Sequence, residues 1–370
     1  LFRSASEAAR AALTESPSER VEDLLQVNPL ELTIGYRLIA LSDPGRGDLL
    51  ERIHGVRQRV AREIGVLVPQ VRIHDDLGLG PHEYRIMIRG VAVARGTAHA
   101  GRLLAVPPAG LVKRPDGRDG VDPVTGQPAV WIHADGREVA ELAGCRVADA
   151  ASVIAGHFAA VLLDHADELL SHERVRELLD RARASAPTLV DEVVPGLLRI
   201  GEIQRVLQNL VRERVSIRDL EVILEALAEH AGQTRNPDVL TEPVRRALGR
   251  RLVQPYLGPD GRLQVVMLSQ ALDDRIGSAG PGESGEVVWE VEFVRQLMRG
   301  VSEAVAPLLE RGLPPIVLCS TEARPVLRDL TRPELPRLVV LGRREIPRNL
   351  PVITTGVVEL EEAWSMTDGL

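Results

Sequence analysis

Hydrophobic and polar positions predict a strand, a helix and a second strand near the beginning of the chain. The run "LELTIGYRLIAL" from Leu30 alternates in polarity and is rich in β-branched residues, which is typical of a strand. The run "DLLERIHGVRQRVAREIG" repeats apolar residues at helical spacing and ends at Gly65. "VPQVRIHDD" then returns to a strand pattern. This order predicts an α/β unit.

Residues 84–147 have a different pattern, because glycine and proline interrupt short strand-like runs throughout. We therefore expect a small β-rich insertion there. Two helices follow it. Asp149 is placed to cap the first helix and Ser171 to cap the second, so a break is expected near Leu170–Ser171.

Residues 186–257 are almost wholly helical in pattern, and the clearest helix lies in "ERVSIRDLEVILEALAEHAG" at 213–232. Ser216 is the predicted N-cap, with Asp219 in the capping-box position. Gly232 is predicted to end the helix in a left-handed conformation. The apolar positions between them form one stripe at helical spacing, which predicts a helix that lies against a core.

The last part of the chain alternates strand and helix patterns, which predicts a C-terminal α/β subdomain. Helices are expected at about 286–310 and 321–330. The strand patterns are "LQVVML", "PIVLCS", "RLVVLG" and "PVITTGVVEL".

The predicted fold class is mixed α/β and α+β, with four small subdomains preceded by a polar linker. The linker, residues 1–28, contains a short amphipathic segment at 21–25 that we expect to pack on a neighbouring subunit. The predicted subdomains are a first α/β subdomain at 29–84 and 148–185, a β-rich insertion at 85–147, a helical subdomain at 186–258 and a C-terminal α/β subdomain at 262–370.

Composition narrows the possible functions. The net charge of −8 argues against general polyanion binding, including nucleic acid. Lys113 is the single lysine, which removes most chemistry that needs one, such as a phosphate-binding loop. Cys145 and Cys319 form no metal or redox motif, and no apolar run approaches the roughly 18–20 residues that cross a bilayer.

No set of residues assembles a nucleophile, a base and an orienting group, so we expect no enzymatic activity, no cofactor and no metal. His74–Asp76 is interpreted as a solvated turn rather than a metal or acid–base cluster. His157, His165 and His172 lack the spacing of a zinc site. The basic run "LGRREIPR" at 341–348 is interpreted as solvated surface rather than an anion site.

Several motifs occur in an order that resembles one known family. They include "VPGLLRIGEIQRVLQNLVRERVSIRDLEVILEALAEHA", "PQVRIHDDLGLGPHEYRIMIRGV", "VDPVTGQPAVWI" and "RLVVLGRREIP". Together they resemble the cytosolic domain of the export-gate family of type III secretion, which has flagellar members and injectisome members. The resemblance covers about residues 24–358, essentially the whole chain.

The resemblance implies a docking platform at the cytoplasmic face of the bacterial inner membrane. Its expected partners are export chaperones with bound cargo, a second export-gate protein, the ATPase complex and further copies of itself in a nine-subunit ring. A membrane part would precede this chain, which begins at Leu1 rather than methionine and is expected to be a fragment. The alternatives are an injectisome homologue of the same architecture and, more remotely, an α/β enzyme.

In flagellar members of the family, chaperones dock in an apolar dimple built from an aspartate, an aromatic residue three positions later and residues after the VPG motif. The matching residues here are Asp167, Leu170, Val194, Leu198 and Gly201. A spacing of three would place Asp167 and Leu170 on one helical face. Leucine stands where the flagellar pattern has an aromatic residue, and Gly201 where it has threonine. Ordinary packing at a helix end is the alternative role for Leu170.

Overall fold

The computed structural model describes residues 27–43, 45–108, 110–111, 114–279 and 289–360. Lys113, nearly all of the predicted linker and its amphipathic segment at 21–25 lie outside these residues. The chain divides into two compact units. The first runs to Ala61 and from Leu67 to Asp164, and the second holds Arg62–Val66 and everything from His165 onward.

The first unit contains two four-stranded sheets. In one sheet, β1 lies between a parallel neighbour, β2, and an antiparallel one, β3, which forms a hairpin with β4. Tyr84, Ile86 and Ile88 are buried at alternate positions of β3, as expected for a strand with one face on a core. The strands are β1 (Leu30–Ile34), β2 (Arg72–Asp75), β3 (Glu83–Ile88) and β4 (Val91–Thr97).

The second sheet of this unit is antiparallel, with the order β6-β7-β5-β8. Its strands are β5 (Leu103–Val106), β6 (Arg118–Val121), β7 (Pro128–Ile132) and β8 (Arg146–Asp149). The helices up to this point are α1 (Ile39–Ser42), α2 (Leu49–Ile64), α3 (Arg137–Leu142) and α4 (Ala150–Asp164).

Two predicted boundaries can be compared with these elements. Gly65 follows the last residue of α2 with a φ of 83°, which is the predicted helix stop. The strand β3 is hydrogen-bonded to β1, and β4 is hydrogen-bonded to β3, so residues through Thr97 belong to the first sheet. Their assignment to the β-rich insertion was wrong, because a strand pattern does not reveal which sheet the strand joins.

The second unit begins with helices. The break predicted near Leu170–Ser171 is confirmed, and Ser171 Oγ accepts a hydrogen bond from Arg174 N at 3.3 Å. The helices are α5 (Ala166–Leu169), α6 (His172–Ser185), α7 (Pro187–Asp191), α8 (Ile200–Arg212), α9 (Leu220–His230), α10 (Pro237–Ala247) and α11 (Gly249–Val253).

The start of α9 differs from the prediction. Ser216 is not the N-cap, because Ile217 N donates to Ile64 O at 2.9 Å and the preceding residues stay non-helical. The helix begins instead at Leu220, with Asp219 in the N-cap position. Gly232 does not adopt a left-handed conformation. The apolar stripe of the helix is buried as predicted.

A parallel four-stranded sheet of order β11-β10-β9-β12 forms the end of the second unit, as the alternating pattern predicts. Buried residues of its strands and helices share one hydrophobic cluster. The elements are β9 (Leu263–Leu268), α12 (Gln270–Gly277), α13 (Val291–Glu310), β10 (Ile316–Cys319), α14 (Ala323–Thr331), β11 (Val339–Gly342) and β12 (Val352–Val358).

Candidate functional site

Asp167 lies in the single turn formed by α5, and Leu170 directly follows that turn. Leu170 N donates to Asp167 O at 3.2 Å, so the structure brings the predicted pair together. The two side chains differ in exposure. That of Asp167 is 14% exposed, whereas Leu170 is 1% exposed and belongs to the core. The sequence therefore predicted the proximity of the pair but not the burial of Leu170.

Three polar side chains of α8 hold this turn. Gln204 Nε2 donates to Leu170 O at 2.7 Å, and Gln208 Nε2 donates to Asp167 O at 3.2 Å. Arg212 donates from Nε and Nη2 to Asp167 Oδ2 at 3.1 and 2.9 Å. Because these residues are spaced by four, they share one helix face. Sequence reasoning missed them. The available signal was a polar row within a helix whose other face is buried.

The ion pair between Asp167 and Arg212 remains partly in contact with solvent, since their side chains are 14% and 28% exposed. A paired charge in such a position avoids most of the cost of full desolvation. Both bonds from Arg212 end on Oδ2, and Oδ1 accepts neither of them. The carboxylate is thus oriented by Arg212 while one oxygen is directed elsewhere.

The other predicted residues lie in the segment that enters α8. The Val194–Pro195 peptide bond is cis, and Val194 is half-buried with an extended backbone. Leu198 is 1% exposed, and its N–H donates to Val193 O at 2.9 Å. Gly201 is exposed in the first turn of α8, and a Cβ added there would meet no atom within 4 Å.

The five predicted residues do not form one open apolar surface. Leu170 and Leu198 are buried, Val194 and Asp167 are half-buried, and Gly201 is exposed. Gly201 precedes Gln204 by three positions, so it lies on the face of α8 that reaches Leu170. This face of α8 and the edge of Asp167 therefore lie side by side at the surface of the second unit.

The end of α8 also carries a buried ionic cluster that sequence reasoning missed. Glu213 accepts from Arg245 at 3.1 Å and from Arg324 at 2.7 Å. Glu345 accepts from Arg245 Nε at 2.5 Å, and Glu242 pairs with Arg324 through two hydrogen bonds. The cluster joins α8 and α10 to α14 and to the turn after β11. We call these five residues the buried ionic cluster.

The cluster changes the pKa values of its members. Burial alone would raise the pKa of Glu213, but Arg245, Arg324 and Arg328 together hold it below its usual range. Burial alone would likewise lower the pKa of Arg324, but Glu213, Glu242 and Glu345 raise it well above its usual range. Glu213 and Arg324 are therefore stabilised in their charged forms.

The basic run at 341–348 is only partly solvated surface. Glu345 is buried in the ionic cluster, and Arg343 donates to the buried Asp273 at 3.0 Å. The prediction was wrong for Glu345, because its partner lies far away in sequence, whereas Arg343 remains 43% exposed in its ion pair. Arg344 and Arg348 are exposed, as predicted.

The other residues considered as metal ligands, acid–base groups or reactive thiols form no such site in the part of the chain that the structure describes. His74–Asp76 leads into a turn in which Asp76 Oδ1 accepts from Gly78 N at 2.8 Å. No group of three His, Cys, Asp or Glu residues within the described ranges could hold a metal ion. Cys145 and Cys319 are buried and unpaired, and burial raises the pKa of both thiols.

None of the helices within the described residues combines the length and the apolar character that crossing a membrane requires.

Comparison with known proteins gives a consistent result. The sequence model of the FHIPEP family matches residues 3–351. The flagellar biosynthesis protein FlhA of Yersinia enterocolitica is 36% identical over 356 residues, which cover 95% of this chain and 51% of that protein. FlhA of Bacillus subtilis is 35% identical over 345 residues, with coverages of 92% and 51%. The chain thus spans about half the length of the curated relatives it matches.

Solved structures show the same fold at lower identity. The Chlamydia pneumoniae CdsV protein superposes with a TM-score of 0.78 at 22% identity, covering 90% of this chain and 98% of that one. The nonameric SctV-C of EPEC superposes with a TM-score of 0.73 at 19% identity, covering 93% and 100%. The sequence match extends over nearly the whole chain, and on that basis the chain belongs to the FHIPEP family.

Proposed function

We propose that this chain is the docking platform of a flagellar type III protein export gate. It receives export chaperones with bound cargo and orders their export. The observation that carries the proposal is the FHIPEP match over residues 3–351, together with FlhA relatives that are 36% and 35% identical. We further propose that the platform acts by binding alone and catalyses no reaction.

The proposal includes self-association into a ring of nine subunits at the cytoplasmic face of the bacterial inner membrane. The EPEC protein with the same fold is nonameric. The Chlamydia pneumoniae CdsV protein has been solved in complex with CdsO, and its superposition with this chain covers 98% of its length. By analogy, the partners include the second export-gate protein and the ATPase complex, and nucleic acid is not among them.

An injectisome export gate is the second candidate, because the superposed structures named above share the fold. Their identities are 22% and 19%, however, whereas those of the flagellar relatives are 36% and 35%. The difference supports flagellar cargo.

The docking surface that we propose is centred on the exposed face of α8 around Gly201, with Asp167 at its edge. Arg212 orients the Asp167 carboxylate, and Oδ1 would accept a hydrogen bond from the docked chaperone. Leu170 acts from beneath by packing, since it is 1% exposed. A polar edge beside a glycine with open space around it suits a helical ligand that supplies an apolar side chain.

Calorimetric titration of this chain with the late-export chaperones of its own organism tests the proposal. We expect Gly201→Arg to weaken binding at least about tenfold, because the new side chain would occupy the docking surface. The substitution should fold, since its Cβ meets no atom within 4 Å. Gly156→Arg is the matched control, because Gly156 is also an exposed helical glycine with open space around its added Cβ.

Leu170→Ala serves a different purpose. It removes a buried side chain and should destabilise the chain by about 2–4 kcal/mol, so weaker binding by this variant alone would not locate the site. Binding that neither Gly201→Arg nor Asp167→Ala affects would move the docking surface elsewhere. A complete lack of binding to flagellar chaperones would contradict the flagellar proposal and favour the injectisome candidate.

A further inference from the structure

Four exposed arginines of the second unit line one pocket of about 390 Å³. Two of them come from the end of α10 and from α11, and the other two come from the turn after β11. They are Arg246, Arg250, Arg344 and Arg348. The basic run at 341–348 contributes only half of this group, which is why the sequence did not predict an anion site there.

The absence of acidic partners distinguishes these four arginines from their neighbours. Arg245 pairs with Glu345, Arg251 pairs with Asp219 at 3.0 Å, and Arg343 pairs with Asp273 at 3.0 Å. Within the described ranges, by contrast, no carboxylate lies within ion-pair distance of the four that line the pocket. The charge concentrated in the pocket is therefore not neutralised by the second unit itself.

Glu345 also lines the pocket, but its charge is already compensated. Its carboxylate accepts from Arg245 Nε at 2.5 Å, from Arg245 Nη2 at 3.1 Å and from Gly342 N at 3.1 Å. The remaining pocket is therefore strongly cationic. Guanidinium groups bind carboxylates and phosphates through paired hydrogen bonds, so the expected ligand is an oxyanion.

A second cleft, of about 490 Å³, adjoins the first and shares Arg246, Arg344 and Glu345 with it. Its lining includes apolar side chains from α10 and α14. Two further acids line it, of which Glu322 is exposed and Glu242 is paired with Arg324. Val239, Leu240, Pro243 and Pro325 are the apolar members. A free phosphate ion has no apolar surface to bury in such a cleft, whereas a peptide carries acidic and apolar side chains side by side.

We propose that the arginine pocket and the adjoining cleft together bind a segment of a partner protein in which acidic residues flank an apolar side chain. The arginines hold the carboxylates, and the cleft takes the apolar side chain. The chain as a whole carries a net charge of −8, which repels long polyanions from the surface around the pocket. Recognition is therefore confined to a short acidic segment. The site does not depend on the chaperone surface at Gly201.

A labelled peptide of sequence Glu-Glu-Leu-Glu-Glu-Leu-Glu tests the site by fluorescence anisotropy with the purified chain. We expect binding that weakens more than about fivefold when salt rises from about 0.05 M to about 0.3 M. The matched peptide with glutamine at every glutamate should bind at least about tenfold more weakly, because it has no carboxylates. A peptide with serine in place of leucine should lose about threefold or more in affinity.

The double variant Arg250→Gln/Arg348→Gln removes two charges from the pocket and should weaken peptide binding at least about tenfold. Its control is Arg251→Gln/Arg262→Gln, which removes two exposed charges that pair with Asp219 and Asp260 and do not line the pocket. The control should change affinity less than about twofold. Thermal unfolding of all variants confirms that they are folded.

Four results would overturn the proposal. They are no binding of the acidic peptide, equal weakening by the control variant, equal binding of the serine peptide, and equally tight binding of duplex DNA of the same charge. The serine result would reduce the site to a general anion pocket, and the DNA result would reduce it to a nonspecific cationic patch. Chaperone titration with Arg250→Gln/Arg348→Gln separates this site from the Gly201 surface, because we expect chaperone affinity to be unchanged.

Discussion

Arg212 and Glu213 are consecutive residues at the end of α8, and they enter two different ionic arrangements. Arg212 forms a single pair with Asp167, in which the side chains are 28% and 14% exposed. The Glu213 side chain is similarly exposed, at 15%, but its partners Arg245 and Arg324 in the buried ionic cluster are only 2% exposed. The same helix end thus supports a partly solvated pair at the candidate site and a desolvated cluster beside it.

The difference has a physical consequence for what each arrangement does. A partly solvated pair contributes less to stability than a desolvated cluster and can exchange its partner at a smaller cost. A buried cluster contributes mainly through the penalty for breaking it, because each charge left behind would be unpaired in a medium of low polarity. We therefore assign the Asp167 pair to recognition and the buried ionic cluster to holding α8 and α10 against the C-terminal sheet.

The largest expected effect comes from breaking the buried ionic cluster. Arg324→Met leaves Glu213 and Glu242 without their shared partner, and it should lower the free energy of unfolding of the second unit by about 3–5 kcal/mol. Urea unfolding measures it. Arg295→Met is the control, since Arg295 is 71% exposed in its pair with Glu292, and it should cost less than about 0.5 kcal/mol. Losses of similar size in the two variants would remove the distinction between buried and solvated pairs.

Low pH should destabilise the buried ionic cluster by protonating Glu213. Its pKa lies below the usual value of about 4.3 because three arginines outweigh the opposing effect of burial. At pH values between the folded and the unfolded pKa, Glu213 binds a proton more readily in the unfolded chain than in the folded chain. This contribution to stability is therefore complete above the unfolded pKa and is lost as pH falls through the folded pKa.

Urea unfolding at a series of pH values below about 5 measures this effect. One proton accounts for a slope of at most about 1.4 kcal/mol per pH unit, and Glu213→Gln should lack that part of the slope. Glu292→Gln, at an exposed pair, is the control and should keep the slope of the parent chain. Equal slopes in all three proteins would show that Glu213 does not titrate differently in the folded chain.

Local patterns were sufficient to predict much of the fold. The run "LQVVML" coincides with β9 (Leu263–Leu268), because a buried strand of a parallel sheet is apolar on both faces. The stop of α2 at Gly65 was also readable, because its φ of 83° is a conformation that glycine tolerates. Ser216 failed as an N-cap because a backbone hydrogen bond from Ile217 to Ile64 outweighs a local capping preference.

The candidate site was less predictable, because its geometry depends on contacts between residues distant in sequence. Arg212 lies 45 positions from Asp167, and Arg324 lies 111 positions from Glu213. No rule of local spacing connects such residues. The burial of Leu170 likewise follows from the packing of α5 on α8, so an acid and an apolar residue three positions apart predicted neighbours but not an open pocket.

The smallest expected effect on stability belongs to the partly solvated pair of Asp167 and Arg212. Asp167→Asn preserves the shape of the side chain and removes its charge, and it should lower the free energy of unfolding by about 1 kcal/mol. The loss should shrink in high salt, because screening weakens the pair in the parent chain as well. Glu173→Gln, at an exposed pair with Arg176, should have no measurable effect.

The free energy of unfolding of Asp167→Asn also distinguishes a role of the Asp167–Arg212 pair in recognition from a structural role. A loss of about 3 kcal/mol or more for Asp167→Asn would mean that the pair is structural, and weaker chaperone binding by the variant would then reflect distortion of α5. A loss near 1 kcal/mol, together with chaperone affinity reduced about tenfold, would place the carboxylate in direct contact with the partner. Chaperone titration of the parent chain and of Asp167→Asn at about 0.05 M and about 0.3 M salt separates these cases, because screening weakens a direct charge contact.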